Sequence, residues 1–216
     1  SVVAQMAAMS MDAIKGTPSA CAVVKTSCTS YPCSGAVTIN IGPSCPLWLG
    51  GAATGTVEVT GSWTSVDAAT LAQNYTNVQV TALAKSLALA SVTQLKSTRS
   101  GNSVTVKYVA ANALAGASGT ALAVGGTATW DVVVDTKGTA DPSDDRSVID
   151  VTSASAGAGL GTSARVVTIK GAVIDPSCRL NPTAGTADIT AVNGFLPIIL
   201  KVAFHQTCDG KAEVNG

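Results

Sequence analysis

Residues 21–45 of the chain, CAVVKTSCTSYPCSGAVTINIGPSC, contain four of its six cysteines. The gaps between these cysteines are seven, five and twelve residues, and they are rich in Ser, Thr, Gly and Pro. Because cytosolic proteins are kept reduced, clustered cysteines in such a context predict disulfide bonds and an oxidising compartment. We therefore expect an exported protein, secreted or held at the cell surface, with a disulfide-rich block over residues 19–50.

The two remaining cysteines lie far along the chain, beside turn-forming residues in the segments DPSCR and TCDGK. Proximity predicts two local bridges within residues 21–45 and a third bridge between Cys178 and Cys208. A bridge from Cys21 or Cys45 to the C-terminal pair remains an alternative. The complete set of predicted disulfide cysteines is Cys21, Cys28, Cys33, Cys45, Cys178 and Cys208.

Zinc binding is the competing interpretation of the cysteine cluster, because thiolates are ligands that zinc prefers. The chain has no C-x-x-C pair, and its single histidine, His205, is remote from the cluster. The spacing therefore favours disulfides over a metal site or a redox motif.

The composition of the 216-residue chain limits the functions that it can have. Lys plus Arg equals Asp plus Glu at 13 each, and charged residues are only 12% of the chain, which argues against nucleic-acid binding. Low charge also favours packing against copies of the same protein. No apolar run is long enough to span a bilayer, since residues 195–200 are too few and include Pro197.

Alternating apolar and polar residues predict many β-strands. Residues 56–60, 103–108 and 127–134 alternate over one buried and one wet face. Further strands are expected at residues 77–81, 147–151, 164–170, 186–190 and 198–204. Together these segments predict a mostly β fold, an antiparallel sandwich of immunoglobulin-like or jelly-roll-like type, as a single domain over residues 19–216.

Two segments do not show a clear alternation of apolar and polar residues. Residues 65–74, SVDAATLAQN, begin with an N-cap serine and an early aspartate, which predicts a short helix or helical loop. Residues 82–95 have leucines at both helical and strand spacing, so helix and strand remain open there. The glycine-rich stretches at residues 116–126 and 157–161 are expected to be loops.

Residues 1–18 form an apolar N-terminal arm whose hydrophobic side chains recur at helical spacing before Gly16 and Pro18. One interpretation is a short helix that caps the core. The other is an arm that inserts into a neighbouring subunit, as a helix in a groove or as an added strand. The residues expected to make that subunit contact are Val2, Val3, Met6, Met9 and Ile14.

An acidic segment, DTKGTADPSDD at residues 135–145, is the one candidate metal site. Calcium prefers several carboxylate oxygens at such a turn. The alternative is a solvated loop in which the aspartates form hydrogen bonds typical of turns. The candidate calcium ligands are Asp135, Asp141, Asp144 and Asp145.

No residue pattern indicates catalysis. The chain lacks a G-x-S-x-G motif, His205 is its only imidazole base, and Glu58 and Glu213 are its only glutamates. We therefore expect a protein that is not an enzyme and needs no cofactor.

The arm at residues 2–14 and the paired Cys178 and Cys208, on this composition, resemble features of bacterial fimbrial subunits. That resemblance implies that a terminal extension of one copy completes the sheet of the next; the segment Phe195 to Phe204 is a second candidate for an added strand. The expected function is a secreted structural subunit that assembles into filaments with copies of itself. The alternative is a monomeric secreted or lipid-anchored binding module that recognises a surface protein or glycan, with calcium at the aspartate loop.

Overall fold

The fold is given by a computed structural model of the chain. The structure describes residues 2–16, 19, 21–46, 52–82, 85–88, 92–111, 127–139, 144–156, 164–178, 182–193, 196–208 and 211–215.

One helix precedes thirteen strands in the described part of the chain. In chain order they are α1 (Val2–Ile14), β1 (Ala22–Thr26), β2 (Cys33–Pro46), β3 (Ala52–Ser65), β4 (Ala68–Ala82), β5 (Lys85–Ala88), β6 (Val92–Ser100), β7 (Ser103–Ala111), β8 (Thr127–Asp135), β9 (Arg146–Ala156), β10 (Ala164–Ile174), β11 (Ala184–Asn193), β12 (Leu196–Phe204) and β13 (Ala212–Asn215).

All thirteen strands belong to one antiparallel sheet, and strands adjacent in the chain are mostly adjacent in the sheet. The exception is β5, which folds back onto β4, so that β6 also pairs with β4. The prediction of a mostly antiparallel β fold is confirmed. Its topology is a meander rather than the crossing connections of an immunoglobulin-like or jelly-roll sandwich, because neighbouring antiparallel strands need only short turns between them.

The sheet bends at β-bulges, where extra residues interrupt the register of neighbouring strands. One bulge lies between β3 and β4 at Gly55, whose φ is 123°, opposite Asn77, whose φ is 53°. A Cβ at Gly55 would lie 2.6 Å from the carbonyl oxygen of Asn77, so only glycine allows this approach. Bulges of this kind increase the local twist and let the sheet curve.

Helix α1 lies in the concavity of the sheet and packs against β1, β2, β3, β4, β6, β7 and β8. Every side chain from residue 3 to residue 11 is buried. A helix buried on all sides needs mostly apolar residues on every side, which explains a sequence rich in Ala, Val and Met with a single charge. Its buried polar residues are Gln5 and Ser10, and the Ser10 hydroxyl donates to the carbonyl oxygen of Ala7 at 2.7 Å. Its alanines at positions 4, 7 and 8 let the strands approach closely.

Polar contacts fix the helix at both ends. Near its start, the side-chain amide of Gln73 donates to the carbonyl oxygen of Val3 at 3.0 Å, and the hydroxyl of Tyr75 donates to the amide oxygen of Gln73. Near its end, Arg99 Nη2 donates to Asp12 Oδ1 at 2.6 Å. Because a buried ion pair is costly to break, Arg99 and Asp12 hold the C-terminal turn in one position.

The two ambiguous segments are strands. Residues 65–74, predicted to be helical, instead form a turn at positions 66–67 and the first half of β4. There Ala69, Leu71 and Gln73 point inward by alternation, and pairing with β3 overrides the local cap signal. Within residues 82–95 the structure has β5 and the start of β6, with residues 83–84 and 89–91 outside the described part. The glycine-rich stretches also lie outside it.

Candidate interaction edges

The disulfides connect the cysteines as proximity predicted. Cys28 bonds to Cys33 across the connection from β1 to β2, and Cys21, just before β1, bonds to Cys45, near the end of β2. The third bridge joins Cys178, just after β10, to Cys208, just after β12. No cysteine is free. Three disulfides indicate an oxidising compartment.

The N-terminal arm is part of the core of its own chain, as the first of its two interpretations predicted; its contact with a neighbouring subunit stays a prediction. Val3, Met6 and Met9 are buried beneath the sheet, and Ile14 is half-buried against the same core. Val2 lies in the helix, but its side chain is outside the described part. The first interpretation, a helix packed on the core, is therefore the one that the structure has, because a segment apolar on all sides is most stable when surrounded.

The aspartate loop forms the hydrogen bonds of a turn. Asp135 Oδ1 accepts from the backbone N–H of Lys137 at 3.0 Å, and Asp144 Oδ1 accepts from the hydroxyl of Thr139 at 2.9 Å. Asp145 is buried, and Asp141 lies outside the described residues. Among the residues that the structure describes, no three His, Cys, Asp or Glu side chains are grouped to hold a metal ion.

The single histidine and two of the tryptophans form ordinary structural contacts. His205 Nε2 lies 3.5 Å from Glu213 Oε1, at the edge of the sheet. Trp63 is fully buried, and the ring of Trp130 stacks on Tyr108 with centroids 5.7 Å apart. These aromatic side chains contribute to the core rather than to a surface.

The sheet ends in two edge strands, β1 and β13, and β13 leaves part of its neighbour uncovered. Strand β13 pairs with β12 only from Lys201 to Phe204. Within the described residues, no strand covers the outer side of Leu196–Leu200, whose inner side pairs with β11. An uncovered strand edge presents free N–H and C=O groups to another chain.

The uncovered half of β12 is apolar. Ile198, Ile199 and Leu200 are 52%, 49% and 39% exposed, and the segment carries no charge. Soluble proteins normally protect such edges with lysines, other charges or proline, and Pro197 is the one residue of these types in the uncovered segment. At the opposite end of the sheet, β1 also exposes an aliphatic side chain, Val23, at 62%.

Sequence reasoning found part of this site. It predicted a strand at residues 198–204 and considered residues 195–204 as an added strand. It did not predict that β13 stops short, because the extent of pairing between strands depends on distant contacts rather than on local pattern. The consecutive Ile, Ile and Leu on a strand were the available signal, since a half-buried strand alternates.

In the described part of the chain, α1 is the one helix, and it is too short to cross a membrane. No protein-family model, curated protein or solved structure matches the chain.

Proposed function

We propose that this protein is a non-enzymatic, exported structural subunit that assembles into filaments with copies of itself. The open edge of β12 in one copy, Leu196–Leu200, pairs with β1, Ala22–Thr26, of the next copy. The observation that carries the proposal is the run of three exposed aliphatic residues on an uncovered strand edge.

Three features support a second copy as the partner at this edge. The uncovered part of β12 and strand β1 are both five residues long. Because Leu196–Leu200 is uncharged, Lys25 of the incoming β1 meets no like charge. Since β1 and the β12–β13 side are opposite ends of the same sheet, the contact would extend that sheet from copy to copy.

Pairing of two different edges is head-to-tail, so it leaves one edge of each kind free and grows into an open chain rather than a closed dimer. The helix plays no part in this contact and stays in its own core. The assembly route therefore differs from the terminal-extension route that the fimbrial resemblance implied.

Each contact is expected to be weak. Burying a half-exposed aliphatic side chain contributes roughly 1 kcal/mol, so three of them and a few strand hydrogen bonds only just offset the cost of association, about 4–15 kcal/mol. Assembly should therefore depend steeply on protein concentration.

Two edge variants test the proposal. Ile199→Lys places a charge on the β12 edge, and Val23→Lys places one on the β1 edge. Each variant alone should be monomeric by sedimentation velocity at concentrations where the unmodified, non-reduced protein forms filaments in electron micrographs. An equimolar mixture should form dimers and nothing larger, because each copy then has one intact edge.

Val166→Lys is the matched control, since Val166 is 40% exposed on β10, an interior strand of the sheet. It should assemble like the unmodified protein. Dimers of Val23→Lys alone would show that β12 pairs with itself, and a wild-type monomer at millimolar concentration would overturn the proposed function.

A further inference from the structure

Strands β6 and β7 separate part of the way along their length. They pair from Ser100 opposite Ser103 to Lys96 opposite Lys107, and pairing stops there among the described residues. Strand β7 continues against β8 as far as Ala111. Strand β6 instead follows β4 through a bulge, in which Gln94 has a φ of 60°. The bulge turns β6 away from β7 and opens a groove between them.

The β6–β7 groove has a volume of about 460 Å³ and a lining that is about half polar and half apolar. Its side chains include hydroxyl, amide and ammonium groups together with the exposed aliphatic Val109. That volume lies within the range of small-ligand sites. The residues that line it are Thr93, Gln94, Lys96, Lys107, Tyr108, Val109 and Thr129.

Two lysines face each other where the strands part. Lys96 and Lys107 are direct cross-strand partners, an arrangement that is unfavourable for like charges. Lys107 Nζ lies 2.6 Å from Asp131 Oδ2, which neutralises one of the two ammonium groups. In the described part of the chain no carboxylate lies within ion-pair distance of Lys96. The groove therefore has a net positive charge at its closed end.

We propose that the β6–β7 groove binds an acidic saccharide, with a carboxylate or sulfate group between Lys96 and Lys107. A bound anion relieves the repulsion between the two ammonium groups. The hydroxyls of Thr93 and Thr129 and the amide of Gln94 are donors and acceptors suited to sugar hydroxyl groups. The volume of the groove is within the range of small-ligand sites, so a short saccharide fits it.

The lining favours a charged saccharide over two other ligands. A neutral sugar would be expected to stack on an exposed aromatic ring, but Tyr108 is buried and its ring faces Trp130. An acidic peptide added as a strand needs a regular strand edge, which the bulge at Gln94 interrupts. Charge and hydrogen bonds from side chains remain as the basis of recognition. This proposal is independent of filament assembly, because the groove lies away from both sheet edges.

Calorimetric titration of the full chain tests the site with four probes: trigalacturonate, a chondroitin sulfate tetrasaccharide, maltotriose and a short poly-glutamate peptide. We expect binding of the carboxylated or the sulfated saccharide and no binding of maltotriose. Lys96→Gln should weaken the affinity at least tenfold. Asp131→Asn should strengthen it, because that change releases Lys107 from its ion pair.

Lys170→Gln is the control, since Lys170 is exposed on β10, away from the groove. If Lys96→Gln and Lys170→Gln lost the same affinity for the acidic saccharide, binding would depend only on the overall charge of the protein. That result would overturn the proposed site. Equal binding of maltotriose would remove the role of charge, and equal binding of poly-glutamate would indicate an acidic polypeptide ligand; either result overturns the proposal. Melting curves of each variant check that it is folded.

Discussion

The sheet has two regions that differ in how completely their apolar side chains are buried. In the helix-filled half, α1 with β1–β8, side chains such as Met6, Val59 and Val106 are completely inaccessible to solvent. In the wing, β9–β13, no described hydrophobic side chain is less than 2% exposed. Five of the seven exposed large hydrophobic residues of the described chain lie in the wing, namely Val166, Ile198, Ile199, Leu200 and Val214.

The difference follows from the position of α1. A curved sheet can bury one face only if something fills its concavity, and the helix packs against the first eight strands except β5. Beyond β8 the apolar side chains have less to pack against. The helix-filled half therefore contains the completely buried apolar side chains, whereas the wing has apolar surface left for a partner.

The largest effect should come from charging the helix. Met6 is completely buried beneath the sheet, so Met6→Asp places an unpaired carboxylate in the core. We expect this variant not to fold, as judged by circular dichroism and by loss of a cooperative melting transition. The matched change in the wing, Ile199→Asp, should leave the melting temperature nearly unchanged, because surface substitutions usually alter stability by less than about 0.5 kcal/mol.

Met6→Ala separates packing from charge in the same position. Truncating a buried methionine costs about 2–5 kcal/mol. Urea denaturation should show that loss for Met6→Ala and almost none for Ile199→Ala. Similar losses at the two positions would contradict the division of the sheet into a stabilising half and an open wing.

The next largest effect concerns the buried ion pair. The side chains of Arg99 and Asp12 are 4% and 15% exposed, whereas those of Lys107 and Asp131 are 63% and 38% exposed. Arg99→Met leaves Asp12 buried without its partner, which should cost about 3–5 kcal/mol in the free energy of unfolding. Lys107→Met should produce no change that denaturation can resolve, because an exposed pair is screened by water.

A double variant identifies the cause of the loss. Arg99→Met together with Asp12→Leu removes both charges and should recover most of the stability, since an apolar pair of similar volume can replace a buried ion pair. If the double variant were as unstable as Arg99→Met alone, the polar contact itself rather than the stranded carboxylate would hold the end of α1.

The disulfides give a smaller contrast. Cys21–Cys45 and Cys178–Cys208 span 24 and 30 residues, so loop entropy predicts similar contributions of about 3–4 kcal/mol each. Each bridge has one buried cysteine, Cys45 or Cys178, but Cys21 is half-buried whereas Cys208 is exposed, so replacing the first pair with serine should cost more than replacing the second. Denaturation of the two double variants measures the loss in the free energy of unfolding for each bridge. Equal losses would show that closing the loop is the only way in which these bridges stabilise the protein.

Much of the fold could be predicted from local pattern, whereas the β12 edge could be predicted only in part and the β6–β7 groove could not be predicted. Alternation at residues 103–108 and 127–134 predicted β7 and β8, since a two-residue period is set by burial of one face. The burial of α1 was signalled only by apolar residues on every side of a helix. Lys96 lies opposite Lys107 only because of the register between β6 and β7, and the edge of β12 is uncovered only because β13 ends early. Local sequence pattern determines neither of these features.

The smallest expected effect is a difference in pH dependence between the two regions. In the wing, Asp175 Oδ1 accepts hydrogen bonds from the side chain and the backbone N–H of Ser177, and these lower the pKa of Asp175 from its ordinary value of 3.8. Its stabilising contribution is present above that value and is lost as the pH falls through the lowered pKa. In the helix-filled half, burial raises the pKa of Asp12 despite the nearby Arg99, so that between 3.8 and the raised pKa stability falls as the pH rises.

In Asp175→Asn the melting temperature should therefore fall less steeply as the pH decreases below 3.8. Its dependence on pH above 3.8 should be the same as in the unmodified protein. Ser177→Ala should have the same effect in weaker form, because the backbone N–H still donates to Asp175 while the side-chain donor is gone. Melting temperatures measured between pH 2 and pH 7, spaced about half a pH unit apart, separate the two windows, which lie on opposite sides of the ordinary carboxyl pKa. A change confined to the region above that pKa in Asp175→Asn would contradict the hydrogen-bonded turn, since only a carboxylate stabilised in its charged form titrates below it.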